Sequence, residues 1–429
     1  MRDVICLGGG LNYAAAVVLA KAGLKVTLIE KDLNFLGGNC LHAGCIPSKN
    51  MLHRAKTVLE SSEDVFIEKA KVNVEKLLNK TFDRIKKNTE AIKMQLKAAG
   101  VEVLEAKGYV TDEGIEVNGE ILKAKYIIIG TGSHPRVPDG IEVDNKKIIT
   151  SKEVFSLTQL PKHIAIYGSG PIGLEFAGYF AALGVKVDLI YRHENISKKI
   201  APEIVEKLQE QLKLIGINLV PNTSITKAVA NKKVEIQTNN GKKEADLLLV
   251  ATGRIPNTWM IKTPNLKISK GIDTNEYFQT TLPNVFAIGD VNAKLMLAHA
   301  ARAEALNVAN RILGKKEKLS LDNIPKFIYT IPLNYAAAGK MEGKKTVFPL
   351  NRLGISGAVL NSENGLVILY TDEENFINGA EILAPNAEEI IGIISAALAG
   401  EMDKDTLLKA VFPHPTFSES IDRVLRRVK

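Results

Sequence analysis

The sequence predicts an α/β fold class: two parallel-sheet domains followed by an α+β domain. Three observations predict it. Two segments repeat one design, a short β-branched strand, a glycine run, an Ala-rich helix and a second strand. After residue 320 the pattern changes to alternating strands joined by Asn/Gly-rich turns, and then to amphipathic helices. At 429 residues the chain is also too long for a single core.

The elements follow in order. "DVICLGGG", the helical "NYAAAVVLAKAG" and the strand "KVTLIEK" make the first unit. Residues 48–99 are amphipathic, and "VEKLLNKTFDRIKKNTEAIKMQLKAAG" carries apolar residues at helical spacing. Short strands then lead to the apolar run "KYIIIGTGS". "HIAIYGSGPIGLEFAGYFAALGVKVDLIYR", residues 163–192, forms the second unit. Beyond it, "AVLNSENGLVILYTDEENFINGAEIL" reads as antiparallel strands and "NAEEIIGIISAALAGEMDKDTLLKAVF" as helices. The expected division is a discontinuous first domain (1–145 and 265–320), a second (146–264) and a third (321–429), with no low-complexity linker between them.

Composition narrows the class. Hydrophobic content of 45% and charged content of 24% suit a globular chain, and no apolar run approaches membrane-spanning length. The opening "MRDVICLGGGLNYAAAVVLAKAG" has the charge and apolarity of a signal peptide. Asp3, the three glycines and the strand that follows argue for folded chain instead, and so for a cytoplasmic protein away from membranes. The net charge of +8 is scattered and interleaved with acids, which reads as a solvated surface, not a nucleic-acid face.

The glycine loops carry the first chemistry. In "GSGPIG", Gly168, Gly170 and Gly173 hold G-x-G-x-x-G spacing directly after a strand and opening a helix. Gly168 permits the turn, Gly170 lets a pyrophosphate approach the backbone, and Gly173 lets helix and strand pack. The next strand ends in "LIYRHENISKK", where Tyr191 replaces the usual ribose-binding acid. Arg192 and Lys198 suit a 2′-phosphate, which favours NADP over NAD. The first loop, "GGGLNY", supplies Gly8 and Gly10 but has Tyr13 at the third glycine place. A side chain there is expected to push helix and strand apart unless the loop is one residue short. Glu30, ending the next strand, is placed for an adenosine ribose.

"GGNCLHAGCIPSK", residues 37–49, puts two of the three cysteines close together at a helix start. In a regular helix Cys40 and Cys45 would stand roughly 8.7 Å apart at Cα, beyond the ~7 Å limit for a disulfide. Either the pair never bonds or the backbone bends. Three cysteines make no structural framework, and Cys6 lies in a buried-looking strand, so a redox pair is favoured over a metal site.

That stretch resembles the redox signature of the flavin-dependent pyridine nucleotide–disulfide oxidoreductases, class I, in its dihydrolipoamide dehydrogenase form. "IIIGTGSHPRVP", "VATGRIPNT", "TTLPNVFAIGDV", "IPKFIYTIPLNYAAAGKME" and "HPTFSES" resemble further segments of that family, in order and over nearly the whole chain. The resemblance implies two Rossmann-like domains, one for non-covalent FAD and one for NAD(P), with a C-terminal dimerisation domain. It implies a Cys40–Cys45 disulfide that cycles to a dithiol, Cys40 exchanging with substrate and Cys45 facing the flavin. It pairs Lys49 with Glu175 near the flavin. It makes His414 an acid/base oriented by Glu419 and reaching the partner subunit's cysteines in a homodimer. Flavin contacts are implied at Gly8, Gly10, Glu30 and Gly38, at Lys49, Thr131 and Gly132, and at Asp290 and Ala298; Gly253 joins the coenzyme set. The implied reaction passes electrons between NAD(P)(H), FAD, the cysteine pair and a lipoamide-like dithiol or disulfide, free or on a lipoyl protein, with a 2-oxo acid dehydrogenase-type complex as a fitting partner. An NADPH-dependent reductase of glutathione or another small disulfide is the alternative within the class. A non-catalytic flavoprotein, serving as redox sensor or assembly subunit, lies outside it.

Overall fold

The computed structural model describes residues 2–62, 68–355 and 362–429. Part of "AVLNSENGLVILY" therefore lies outside the described residues. The chain divides into two compact units.

The first unit comprises Met1–Ser48, Leu78–Arg136 and Arg254–Leu321. Its centre is a five-stranded parallel sheet in the order Val285–Ala287, Ala124–Ile129, Arg2–Leu7, Val26–Glu30, Glu102–Glu105. The strands read as near-continuous β-branched runs because both faces of the sheet are covered, one by helices and the other by a small antiparallel sheet. Ala15, Ala16 and Leu19 of the Tyr13–Lys21 helix and Ala305, Val308 and Ala309 of the Ala298–Ile312 helix bury against Val4, Leu28 and Ile128 on one face. Ile5, Leu7, Ile29 and Ile129 fill the other face, against the small antiparallel sheet around Val110 and Ile115.

The second unit comprises Lys49–Leu77, Val137–Gly253 and Asp322–Lys429. It holds a second parallel sheet, ordered Ile217–Val220, Lys186–Ile190, His163–Tyr167, Leu247–Val250, Ile148–Thr150. Its C-terminal part is a five-stranded antiparallel sheet, ordered Lys326–Ile328, Asn334–Gly339, Ile377–Ala384, Leu366–Thr371, Lys344–Pro349. The Ala387–Ala399 and Glu419–Leu425 helices pack Ile391, Ile394, Ile421 and Leu425 onto it. The fold is α/β with two Rossmann-like sheets and a C-terminal α+β domain, as the sequence predicts.

Candidate active site

In the first glycine loop, Gly8 has φ +97°, and a Cβ there would stand 2.4 Å from the Gly130 carbonyl oxygen, so only glycine fits. The Glu30 carboxylate accepts from the Gly9 amide at 2.6 Å. Tyr13 does not force helix and strand apart. The crossing is taken by Asn12, 1% exposed, whose Nδ2 donates to Ile128 O at 3.0 Å, while half-buried Tyr13 packs into the apolar cluster beside Leu36 and Ile92. The steric expectation fails because the helix begins at Tyr13 itself, which places Ala15 and Ala16 against the sheet.

Gly38 opens the Gly38–Ala43 helix that carries Cys40, and a Cβ on it would lie 2.9 Å from Gly10 Cα. Two bare backbones therefore meet beside the loop, and the buried Asn12 Oδ1 has no hydrogen-bond partner there. A backbone cradle flanked by an acid fits the diphosphate and ribose of FAD.

The helix does not continue from Cys40 to Cys45. It stops at Gly44 (φ −152°, ψ −121°), and a new helix, Cys45–Glu60, begins at Cys45. A Cβ on Gly44 would meet Asn39 O at 2.9 Å and Cys40 Cα at 3.2 Å, so the chain folds back tightly onto the Cys40 turn. The backbone thus bends between the two cysteines, and no disulfide joins them in this structure. Cys40 is half-buried, Cys45 exposed and Cys6 fully buried, where burial pushes its thiol up to about 12. Cys45 is the first residue of its helix. His42, between the cysteines, stacks on Phe35 with ring centroids 4.5 Å apart, and its Nε2 lies 2.8 Å from Leu36 O.

Asp290 lies in the Gly289–Asn292 turn that precedes the half-buried Ala298. Ser133 Oγ donates to its carboxylate, and Arg254 Nε stands 3.8 Å away. Arg254 also donates to Ser133 Oγ (2.7 Å) and Ser133 O (2.8 Å). Burial pushes its guanidinium down, and attraction to Asp290 and to Cys45 works against that. Beneath the turn, Glu304 accepts from Gly289 N (2.7 Å) and Asn292 Nδ2 (2.8 Å), and its burial pushes the carboxyl up to about 7. Thr131 and Gly132 are tied down by Asn257, whose Nδ2 donates to Thr131 O at 2.8 Å and whose N–H donates to Gly132 O at 2.9 Å.

Arg254, Ser133, Asn12 and Glu304 escape the sequence reading. Arg254 was legible as the cation inside "VATGRIPNT", and Glu304 as an acid on the apolar face shared by Ala301, Ala305 and Val308.

In the second unit, Gly168 (φ +120°) stands against Ala251 O, and a Cβ on Gly173 would lie 1.9 Å from Gly168 O. Gly170 caps the Pro171–Ala182 helix, and Gly253 has φ +116°. Tyr191 is buried; Arg192 and Lys198 are exposed, and neither joins an ion pair among the described residues. Buried Glu175 accepts from Lys49 Nζ and from the Tyr329 amide at 3.0 Å, with Lys49 lying over the Phe327 and Tyr329 rings. His414 Nδ1 is 3.1 Å from both Glu419 oxygens, and the imidazole is 78% exposed, so Nε2 faces outward. Hydrogen bonds from Thr416 N and from His414 hold the Glu419 carboxyl below its usual range. Among the described residues no cluster of His, Cys, Asp or Glu could hold a metal, and no helix is long and apolar enough to cross a membrane.

Two Rossmann-like sheets, each with a glycine loop, and a turn carrying Cys40 and Cys45 define a dinucleotide-dependent redox protein working through sulfur. Residues 2–305 match the family described as pyridine nucleotide-disulphide oxidoreductase, and residues 325–425 match its dimerisation domain, which supports a homodimer. The dihydrolipoyl dehydrogenase of Mycoplasma pneumoniae is 31% identical over 99% of this chain and 98% of its own. Dihydrolipoyl dehydrogenase 1, mitochondrial, of Arabidopsis thaliana is 31% identical over 98% of this chain and 89% of its own. Two solved structures share the fold: LpdA from Mycobacterium tuberculosis (TM-score 0.91, 21% identity, 100% of this chain and 99% of that one) and the HOCl-induced flavoprotein disulfide reductase RclA from Escherichia coli (TM-score 0.88, 23% identity, 100% of both). The chain belongs to the class I pyridine nucleotide–disulfide oxidoreductases, FAD- and NAD(P)-dependent enzymes, and is similar to dihydrolipoamide dehydrogenase.

Proposed function

We propose that the protein exchanges electrons between NADP(H) and a lipoamide-like dithiol/disulfide through Cys40 and Cys45, as a cytoplasmic homodimer. The observation that carries this is the chain reversal at Gly44, which folds Cys45 back on the Cys40 turn beside a half-buried cation, Arg254. In the reducing direction the Cys40 thiolate attacks one sulfur of the substrate disulfide. A mixed disulfide forms, and the first substrate thiol leaves. Cys45 then attacks Cys40, closing the protein disulfide and releasing the second thiol; two electrons have passed to the substrate. His414 of one subunit, oriented by Glu419, gives each leaving thiolate its proton at the other subunit's cysteines. Its Nδ1–Glu419 pairing and outward Nε2 support that role.

When bound, FAD relays two electrons between the nicotinamide and the cysteine pair. Gly8, Gly10, Gly38 and Glu30 would hold its diphosphate and ribose, Asp290, Thr131, Gly132 and Ala298 the ribityl end, and Lys49, paired with Glu175, would supply positive charge near the ring. Residues 1–145 and 265–320 are the proposed FAD domain, 146–264 the NADP domain and 321–429 the dimerisation domain. Gly168, Gly170, Gly173 and Gly253 receive the coenzyme, with Arg192 and Lys198 on its 2′-phosphate. Lipoyl groups carried by a 2-oxo acid dehydrogenase-type complex are the favoured partner, as the dihydrolipoyl dehydrogenase relatives suggest. A second reading, reduction of glutathione disulfide or another small disulfide, is favoured by the exposed Arg192 and Lys198.

A panel of lipoamide, lipoyl protein and glutathione disulfide, each run with NADH and NADPH, tests both readings. NADPH-linked turnover of lipoamide is expected. Turnover with glutathione disulfide alone selects the second reading, and turnover of neither by an enzyme that NADPH reduces defeats both.

A further inference from the structure

The Pro202–Leu214 helix follows the basic 191–200 segment and starts poorly. Its N-cap is Ala201, which has no side-chain acceptor, and the third helical residue is Ile204, where a capping box would place a glutamate. The missing acceptor comes from another sheet. Glu381, on the Ile377–Ala384 strand of the dimerisation domain and 1% exposed, accepts the Ala201 N–H at 3.0 Å. Its remaining capacity is filled by Tyr335 Oη at 2.8 Å and Tyr370 Oη at 2.9 Å. Three donors converge on its two oxygens at the positive end of a 13-residue helix, so the buried carboxyl group is satisfied by hydrogen bonds. Burial and the Glu381 charge push both phenols up, so each keeps its proton and donates.

The helix so anchored is hydrogen-bonded to the basic segment. Gln209 on that helix accepts from Ile196 N at 3.2 Å, and Ser169 of the glycine loop donates to Ile196 O at 2.8 Å. The segment's start is tied to the neighbouring strand end through Tyr191 N and Val220 O at 3.0 Å. Beside the cap, Lys345 of the dimerisation sheet bonds Glu203 at 2.6 Å.

We infer that Glu381 is a positioning residue for nicotinamide-coenzyme selection: by capping the 202–214 helix from the dimerisation sheet, it sets the pose of Arg192 and Lys198 toward a 2′-phosphate. This rests on the NADP reading above.

The test uses the full-length, flavin-loaded enzyme and measures binding of 2′,5′-ADP and 5′-AMP by calorimetry, with KM and kcat for NADPH. Wild type is expected to prefer 2′,5′-ADP. Glu381→Ala should weaken 2′,5′-ADP about tenfold and raise the NADPH KM to match, with 5′-AMP binding changed less than about threefold and kcat retained. Glu381→Gln, which keeps an acceptor for Ala201, should restore most of the affinity. Unchanged 2′,5′-ADP binding in Glu381→Ala overturns the inference, as does equal loss of both ligands or failure of glutamine to rescue. If Glu381→Ala yields no flavin-loaded enzyme, Tyr370→Phe takes its place, with about a threefold loss of 2′,5′-ADP affinity expected and an unaltered affinity overturning the idea. A wild type that does not distinguish the two nucleotides defeats the NADP reading itself, and this inference with it.

Discussion

The two glycine loops open alike and close differently. Gly8 and Gly168 are physical equivalents: each has positive φ, and a Cβ on either would stand 2.4 Å from a carbonyl of the neighbouring strand, Gly130 or Ala251. At the third place they part. In the second loop Gly173 closes the helix–strand crossing by having no side chain at all, whereas the first loop fills the same need with a buried amide, Asn12, hydrogen-bonded to Ile128 O. The strands that follow also end differently, in Glu30 bonded to its own glycine loop and in exposed Arg192. The turn geometry is fixed by steric exclusion; the crossing can be met by absence of a side chain or by a satisfied polar one. That freedom is why the first loop departs from pattern without disturbing the sheet.

The comparison can be broken most sharply at Gly173. Gly173→Ala brings a methyl within 1.9 Å of Gly168 O, a contact that requires the backbone to move. A loss of about 3 kcal/mol in chemical denaturation is expected, with reduction by NAD(P)H impaired and flavin retained; wild-type stability would show that the second loop has slack. Asn12→Ala comes next. It leaves Ile128 O without its buried donor, and about 2 kcal/mol should be lost together with flavin affinity, read from the flavin-to-protein ratio after dialysis.

Glu304 sharpens the comparison, because it is a buried acid under the Gly289 turn in the first loop's unit. Its carboxyl is raised from 4.5 to about 7, mainly by burial. A group whose folded pKa exceeds its unfolded one stabilises fully below the unfolded value and loses that contribution as pH rises through the folded value. Between pH 6 and 8 the wild type should therefore lose about 1 kcal/mol that Glu304→Gln does not. Parallel melting profiles for the two proteins would exclude Glu304 as the source. The smallest effect belongs to Tyr13. Tyr13→Leu keeps the apolar packing away from the crossing, and stability and flavin content should stay within about 0.5 kcal/mol of wild type; a large change in either would mean that the residue does sit at the crossing.

Much of the site was legible because it is local. The order of strands and helices, the glycine spacing, the cysteine pair and the His414–Glu419 step are all encoded within a few residues of one another, and the fold honours them. What escaped reading joins distant segments. Arg254 reaches Asp290 and Ser133, Glu304 holds the Gly289 turn from a helix twelve to fifteen positions later, and Glu381 caps a helix 180 residues earlier. Nothing in the spacing of these residues betrays their partners.

By itself, then, the sequence determined the two parallel-sheet units and the antiparallel C-terminal sheet, because periodicity and glycine sterics act over short stretches of chain. Tertiary structure alone decided that the chain bends between Cys40 and Cys45, that Asn12 and not Tyr13 occupies the first crossing, and that buried Glu304 and Glu381 carry hydrogen bonds to remote backbone. The physical reason is that a buried polar group must find its partner wherever packing brings one, and packing is settled by the whole fold.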